Sequence, residues 1–315
     1  MFGSLGLGLG LGLGAQSRRR NKDMILVYAI PSAGTTIQLA IQANSTYFSA
    51  GQSVVIDWGD GSANDAVSNT GGSTYIGHTY ASAGTYTVKI SGSMKMYGRS
   101  SYVDIAGQTL LTRVDSFGKL GITSLSLAFD GCSGIVSVPK TLPVSVTNMT
   151  NMFRRCSGAA FNPNVTNWNV SNVTNMGVMF ANCSGAAFNP DVSNWDVRKV
   201  ATMNFMFYNC SGAAFRGGRG VDGIGIAKWK LKTGNNAVNM GSFMSSSKIQ
   251  DPPFLDEILN AWAALHADGQ LPTNISVSFG NNKYTAAGAA AYTTLTTETD
   301  DDGAGWTITS GGLQA

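Results

Sequence analysis

The sequence predicts a mixed, mainly β protein with three parts: a β-sandwich near the N-terminus, a solenoid of stacked repeats, and a small helical C-terminal cap. Three observations predict it. Short β-rich runs separated by Gly/Ser/Asn turns fill about residues 24–95, a near-identical unit recurs through about 108–250, and an amphipathic helical pattern opens the stretch 251–315. With 315 residues and 43% hydrophobic content the chain holds material for a real core, so wholesale disorder is excluded. Charged residues reach only 12%, about half the usual share, and 39 glycines imply many turns and a neutral polar surface.

The first element is an arm, residues 1–23. It carries the whole net charge of +3, through Arg18, Arg19, Arg20 and Lys22 against Asp23; the remaining residues balance 17 basic against 17 acidic side chains. No body-wide basic field is left to hold nucleic acid. The apolar run FGSLGLGLGLGLG is 13 residues, too short for the roughly 20 that a membrane-crossing helix needs, so no membrane span is expected. The arginines follow the apolar run rather than precede it, so no export signal is read. In an extended chain Leu5, Leu7, Leu9, Leu11 and Leu13 share one face with bare glycine behind. Two readings stand: a low-complexity tail, and an arm that docks on a partner protein with Arg18, Arg19 and Arg20 pairing at its edge. Membrane insertion is a third, weaker one.

Residues 24–95 contain the runs MILVYAI, TTIQLAI, SVVIDWG and TYTVKIS, whose length and spacing suggest the sandwich. Asp60-Gly61 is a tight-turn dipeptide, and Trp58 is a large ring available to the core. The spacing of Asp57, Asp60 and Asp65 does not fit a calcium loop, and His78 has no Cys or His nearby, so packing is expected of them rather than metal. The stretches Val54–Ser62 and His78–Val88 resemble the WGDGS turn and the HTYxxxGTYTV hairpin of polycystic-kidney-disease-type (PKD) immunoglobulin-like modules, over about 70 residues.

Residues 156–182 and 183–209 are identical at 17 of 27 positions. The frame Phe-x-x-Cys-Ser-Gly recurs from Phe129, Phe153, Phe180 and Phe207, at steps of 24, 27 and 27. Such a unit cannot bury its apolar face alone, and stacking the copies makes one continuous core. That core is assigned to Phe153, Cys156, Trp168, Met176, Phe180, Cys183, Trp195, Met203, Phe207 and Cys210. Val173, Met176, Met179 and Phe180 have the spacing of one helical face, which predicts a short helix or helical turn in each copy. Asn162-Pro163 and Asn189-Pro190 mark turns, and RGGRGVDGIGI reads as an inserted loop.

The four cysteines, Cys132, Cys156, Cys183 and Cys210, occupy one register. That favours a buried reduced ladder, although equivalent sites on adjacent coils leave bridging open in an oxidising compartment. Zinc would need CxxC-like pairs or histidines, and a thiol nucleophile would need a histidine to activate it; the repeats have neither. The periodic methionines read as core filler. The repeat VTNMxxMFxxCSGAAFNPxVxNW looks like those of BspA-like leucine-rich surface proteins, also found in mycoplasma lipoproteins, over about 120–250.

In the cap, Asp251-Pro252-Pro253 reads as a helix start and Gly269 as its exit, with Phe254, Leu255, Ile258, Leu259, Trp262 and Leu265 on the apolar face. A second helix near 285–296 and a last strand, Gly305–Thr309, follow.

No paired carboxylates, Ser/His/Asp set, phosphate loop or cofactor motif emerges, so a non-enzymatic role without cofactor or metal is expected. The order of modules is similar to that of bacteriophage virion structural and tail-fibre proteins. That resemblance implies a virion protein, assembled in the host cytoplasm and extracellular in the mature particle. It would be a head decoration or a head or tail fibre, joined to other virion proteins through its arm, and its solenoid would face a host surface glycan or protein. Homo-oligomerisation is compatible with that, although no heptad run enforces it. A bacterial cell-surface adhesin built from the same modules is the alternative.

Overall fold

A computed structural model describes residues 22–218, 225–233, 238–249, 254–299 and 303–314. Leu5, Leu7, Leu9, Leu11, Leu13, Arg18, Arg19 and Arg20 lie outside these residues. So do the helix start at Asp251-Pro252-Pro253, most of the inserted loop, and the aspartates 300–302. The chain is mainly β with few helices, and among the described residues no sheet closes into a barrel.

The β-branched runs form strands where the sequence places them: β1 (Met24–Ile30), β2 (Thr35–Gln42), β3 (Ser53–Asp57) and β6 (Gly84–Gly92). Two more strands follow: β4 (Asp65–Ser68), which closes a hairpin with β3 around the Asp60 turn, and β5 (Tyr75–Tyr80), which pairs with β2. Period-2 alternation decides the inward face, so Val54 and Ile56 of β3 are buried while Val55 points outward. With β7 (Leu111–Phe117), one five-stranded sheet has the order β4-β3-β6-β1-β7, and β2 pairs with β5 in a second. The strand β7 (Leu111–Phe117) comes from the stretch assigned to the repeats. It pairs antiparallel with β1 and makes a parallel bridge from Arg113 to Ser137, so the sheet continues directly into the first coil.

From there the copies stack through single-residue parallel bridges that link Met96, Ser124, Asn148, Asn175, Thr202 and Asn239 in turn. Alternate backbone N–H groups reach the next copy: Met149 to Asn175, Asn151 to Gly177, Phe153 to Met179 and Arg155 to Ala181, each at 2.9 Å. The intervening ones turn back three residues, Met152 to Met149, Arg154 to Asn151 and Cys156 to Phe153. No helix forms there, contrary to the spacing of Val173, Met176, Met179 and Phe180. An α-helix would direct every N–H along its own axis, whereas half of these are spent on the neighbouring coil. The turn bonds span three residues, so they reproduce the helical i, i+3 recurrence without the helix. Left-handed backbone at Asn151, Arg155, Val178, Asn182, Phe205 and Asn209, with φ between 53° and 61°, lets the segment alternate in this way.

Like stacks on like inside. Phe180 lies parallel to Phe153 (5.8 Å, 7°) and to Phe207 (5.5 Å, 12°), and Trp195 parallel to Trp229 (6.4 Å, 3°). The ladder continues past Asn239 into the C-terminal part, where Met240 bridges Val277 in β8 (Ser276–Ser278) and β8 pairs in parallel with β9 (Thr307–Thr309). Helices α1 (Phe254–Ala267) and α2 (Ala286–Thr296) pack together beside it. Their junction is held by buried Asp256, which accepts from the Thr285 N–H at 2.7 Å and its hydroxyl at 2.6 Å. Among the described residues no helix is long and apolar enough to cross a membrane.

Candidate binding face

Each coil divides its side chains between an inner ladder and an outer face. Phe153, Cys156, Trp168, Met176, Phe180, Cys183, Trp195, Met203, Phe207 and Cys210 are all buried. The polar atoms among them are satisfied in a repeating way. The thiols of Cys156, Cys183 and Cys210 donate to the carbonyls of Phe129, Phe153 and Phe180 at 3.1, 3.0 and 3.2 Å. The indoles of Trp168, Trp195 and Trp229 donate to Pro139, Val165 and Val192 at 2.8, 3.0 and 3.0 Å. Burial raises all four thiols, Cys132 to about 12, so the thiolate needed for nucleophilic chemistry is suppressed.

The outer face is carried by the turn segments TNMFRR (150–155), GVMFAN (177–182), NFMFYN (204–209) and GSFMSS (241–246). Their third and fourth residues are buried, Met then Phe in the first three and Phe243 then Met244 in the last; of the positions beside them Phe205, Asn209 and Ser246 are exposed, while Asn151 and Ala181 are buried. The bridge register places Asn151, Val178, Phe205 and Ser242 in one row, Arg154, Ala181, Tyr208 and Ser245 in the next, and Arg155, Asn182, Asn209 and Ser246 in a third. Successive members lie about 4.8 Å apart, the spacing of paired strands. Phe205 is 38% exposed and meets Tyr208 edge to face at 5.5 Å, while the Asn209 amide donates to the Asn182 amide oxygen at 2.8 Å.

At the N-terminal end of this face is a charged knot. Asp130 is fully buried; it accepts from Arg99, from Arg154 at 3.1 and 2.9 Å, and from Arg155 at 2.9 and 3.0 Å. Arg99 also reaches Asp104 and the Val103 carbonyl, and Arg155 reaches Asp104 at 2.5 Å, which holds that carboxyl well below the usual range. The Arg154 guanidinium lies 4.3 Å from the centroid of the Tyr102 ring, a cation–π contact, and that ring is 60% exposed. The knot fastens the connector 99–108 to the first two coils.

In the N-terminal sheets His78 stacks on Trp58 at 4.8 Å and bonds Asp60 at 2.7 Å, and the Trp58 indole donates to Asp65 at 2.8 Å. These groups brace the turn. A groove of about 930 Å³ separates Val114–Lys119 from Ser137–Val144; its one carboxylate, Asp115, is held bidentately by Arg113. Among the described residues no three His, Cys, Asp or Glu side chains converge as metal ligands would.

The sequence reading picked out the inner ladder and missed the outer rows. Alignment of the four six-residue segments finds them, because the Met-Phe pair, reversed in the fourth, marks the inside, and the variable positions beside it include the exposed Phe205 and Asn209.

Residues 123–248 match a family model described as "Mycoplasma protein of unknown function, DUF285". No curated protein and no solved structure matches the chain.

Proposed function

We propose that the chain is a non-enzymatic structural protein of a bacteriophage virion, a head decoration or fibre or a tail fibre. The N-terminal arm anchors it to other virion proteins, the two N-terminal sheets form a PKD-like β-sandwich that acts as a spacer, and the stacked coils form a leucine-rich-repeat-like solenoid. The solenoid displays its outer face to a host surface glycan or protein. The observation that carries this reading is the unbroken run of parallel bridges from Met96 to Asn239, with Phe on Phe and Trp on Trp inside and a variable row of polar and aromatic residues outside. A rigid rod with a constant interior and a changeable exterior suits display, since outer residues can vary without disturbing the stack.

The family match of residues 123–248 favours a second reading, a bacterial cell-surface adhesin with the same modules. Deletion of residues 1–20 separates the two. The truncated chain stays folded and soluble and no longer joins the phage particle if the first reading holds; unchanged incorporation, or no association of the full chain with any particle, overturns it.

A further inference from the structure

The arm enters the described residues beside an open groove. The Lys22 carbonyl accepts from the Lys119 N–H at 2.8 Å, and a methyl group on Gly118 would overlap the backbone of Asp23 and Met24. Gly118 and Lys119 line the groove of about 930 Å³, and with Pro143 and Val144 they also line an adjoining hollow of about 280 Å³. Residues 1–21 are therefore tethered at the rim of this depression.

One wall of the groove is a sheet edge. Strand β7 is last in the five-stranded sheet, and its outer side is engaged at its start, where the Val136 N–H reaches the Thr112 carbonyl at 2.8 Å and the Val114 N–H reaches the Ser137 carbonyl at 3.1 Å. Past Ser137 the two segments part, and residues 138–144 form the far wall. Among the described residues no strand or bridge pairs with the outer side of 115–117. An uncovered edge of this kind takes a further extended segment as an added strand. The far wall offers that segment an apolar lining: Val138 and Leu142 are buried along it, and Val144 is left 67% exposed.

Charge and length select the occupant. Asp115 is already paired with Arg113, and the other charged side chains of the groove, Lys119 and Lys140, are both basic. Arg18, Arg19 and Arg20 gain no partner there, whereas the uncharged run 5–13 carries five leucines on one face and bare glycine on the other. Residues 14–21 reach up to about 26 Å when extended, enough to turn the run back along a wall of about 20 Å. The tether also gives the chain's own arm an effective concentration near the millimolar range, above that of a second copy in dilute solution.

We propose that in the free chain residues 5–13 of the arm lie in this groove as an added strand on β7, with their leucines against Val138, Leu142 and Val144. The groove stores the arm, and the leucines reach another protein only once the arm leaves it. This goes beyond the virion reading and does not depend on it.

Hydrogen–deuterium exchange on the full-length chain tests the proposal, with a full-length variant carrying Leu5→Ser, Leu7→Ser, Leu9→Ser, Leu11→Ser and Leu13→Ser as the comparison. Amides of 115–119 and 138–144 exchange about tenfold more slowly in the wild type, whereas those of the repeats at 176–207 match in both and show that the variant is folded. As a second measurement, a photoreactive benzoylphenylalanine placed at position 144 cross-links to residues 1–21 of the same chain in a sample that light scattering shows to be monomeric. Equal exchange at 115–119 in the two proteins, or no cross-link to the arm, overturns the proposal. A cross-link that joins two chains overturns it as well and gives the groove to the arm of a second copy. Particle incorporation is scored separately, so failure of the stored arm and failure of the virion reading are distinguishable.

Discussion

Gly185 sits against Gly158 of the preceding coil so closely that a methyl group on Gly185 would overlap the Gly158 carbonyl oxygen. The same contact recurs between Gly212 and Gly185, and between Gly158 and Ser133, so one backbone approach is repeated up the stack. Here glycine is required for the missing Cβ, not for an unusual φ. Gly185→Ala forces two coils apart where neither partner is a flexible side chain. The expected cost is about 1–3 kcal/mol, as for overpacked cores, seen as a lower urea midpoint. An unchanged midpoint would show that the coils can separate freely, and the stacked architecture would be in doubt.

The cysteine ladder gives a second expectation. Cys183 is buried, donates to the Phe153 carbonyl and has its thiol pushed up by desolvation; Cys132 is raised to about 12 by the same cause. In the native protein at pH 8 a thiol reagent such as DTNB should label none of the four cysteines, and all four should react once guanidinium unfolds the chain. Rapid labelling of any one would place that side chain at the surface and break the ladder.

The parts legible in the sequence are those whose signal is carried by identical residues at a fixed step. Phe153, Phe180 and Phe207 recur every 27 residues, and their rings stack in that order. The spacing of Met176 and Met179 suggests a short helix or helical turn because three-residue turn bonds and a helix share a recurrence at i+3. The left-handed backbone at Val178 and Phe205 was invisible, since neither residue type announces it. Strand β7 was hidden for another reason: LTRVDSF alternates weakly, and its place beside β1 is decided by long-range pairing.

Acid should weaken the N-terminal part through Asp60. The Ser62 hydroxyl and N–H, with His78 beside them, hold the Asp60 carboxyl down to about 2 in the folded chain, against about 3.9 when unfolded. Its folded value is the lower one, so the stabilisation is complete above about pH 4 and is lost as pH falls toward 2. Urea midpoints measured from pH 5 to pH 2 should fall for the wild type and fall less steeply for Asp60→Asn. Parallel curves would show that the turn contributes nothing to acid sensitivity.

The knot at Asp130 allows the sharpest stability test. Its carboxylate, with no exposed surface, is the shared acceptor of Arg99, Arg154 and Arg155, and Arg99 is itself buried. Asp130→Ala leaves the Arg99 guanidinium in a low-dielectric site without its main counter-charge, and a broken buried pair of this kind costs about 3–5 kcal/mol. Replacing both members, Asp130→Leu with Arg99→Met, removes the stranded charge and should recover most of that loss, because the desolvation penalty vanishes along with the attraction. Chemical denaturation of the two variants side by side measures the difference. Equal losses in both would mean that the knot acts through shape rather than charge, and that the connector 99–108 is fastened to the coils by packing alone.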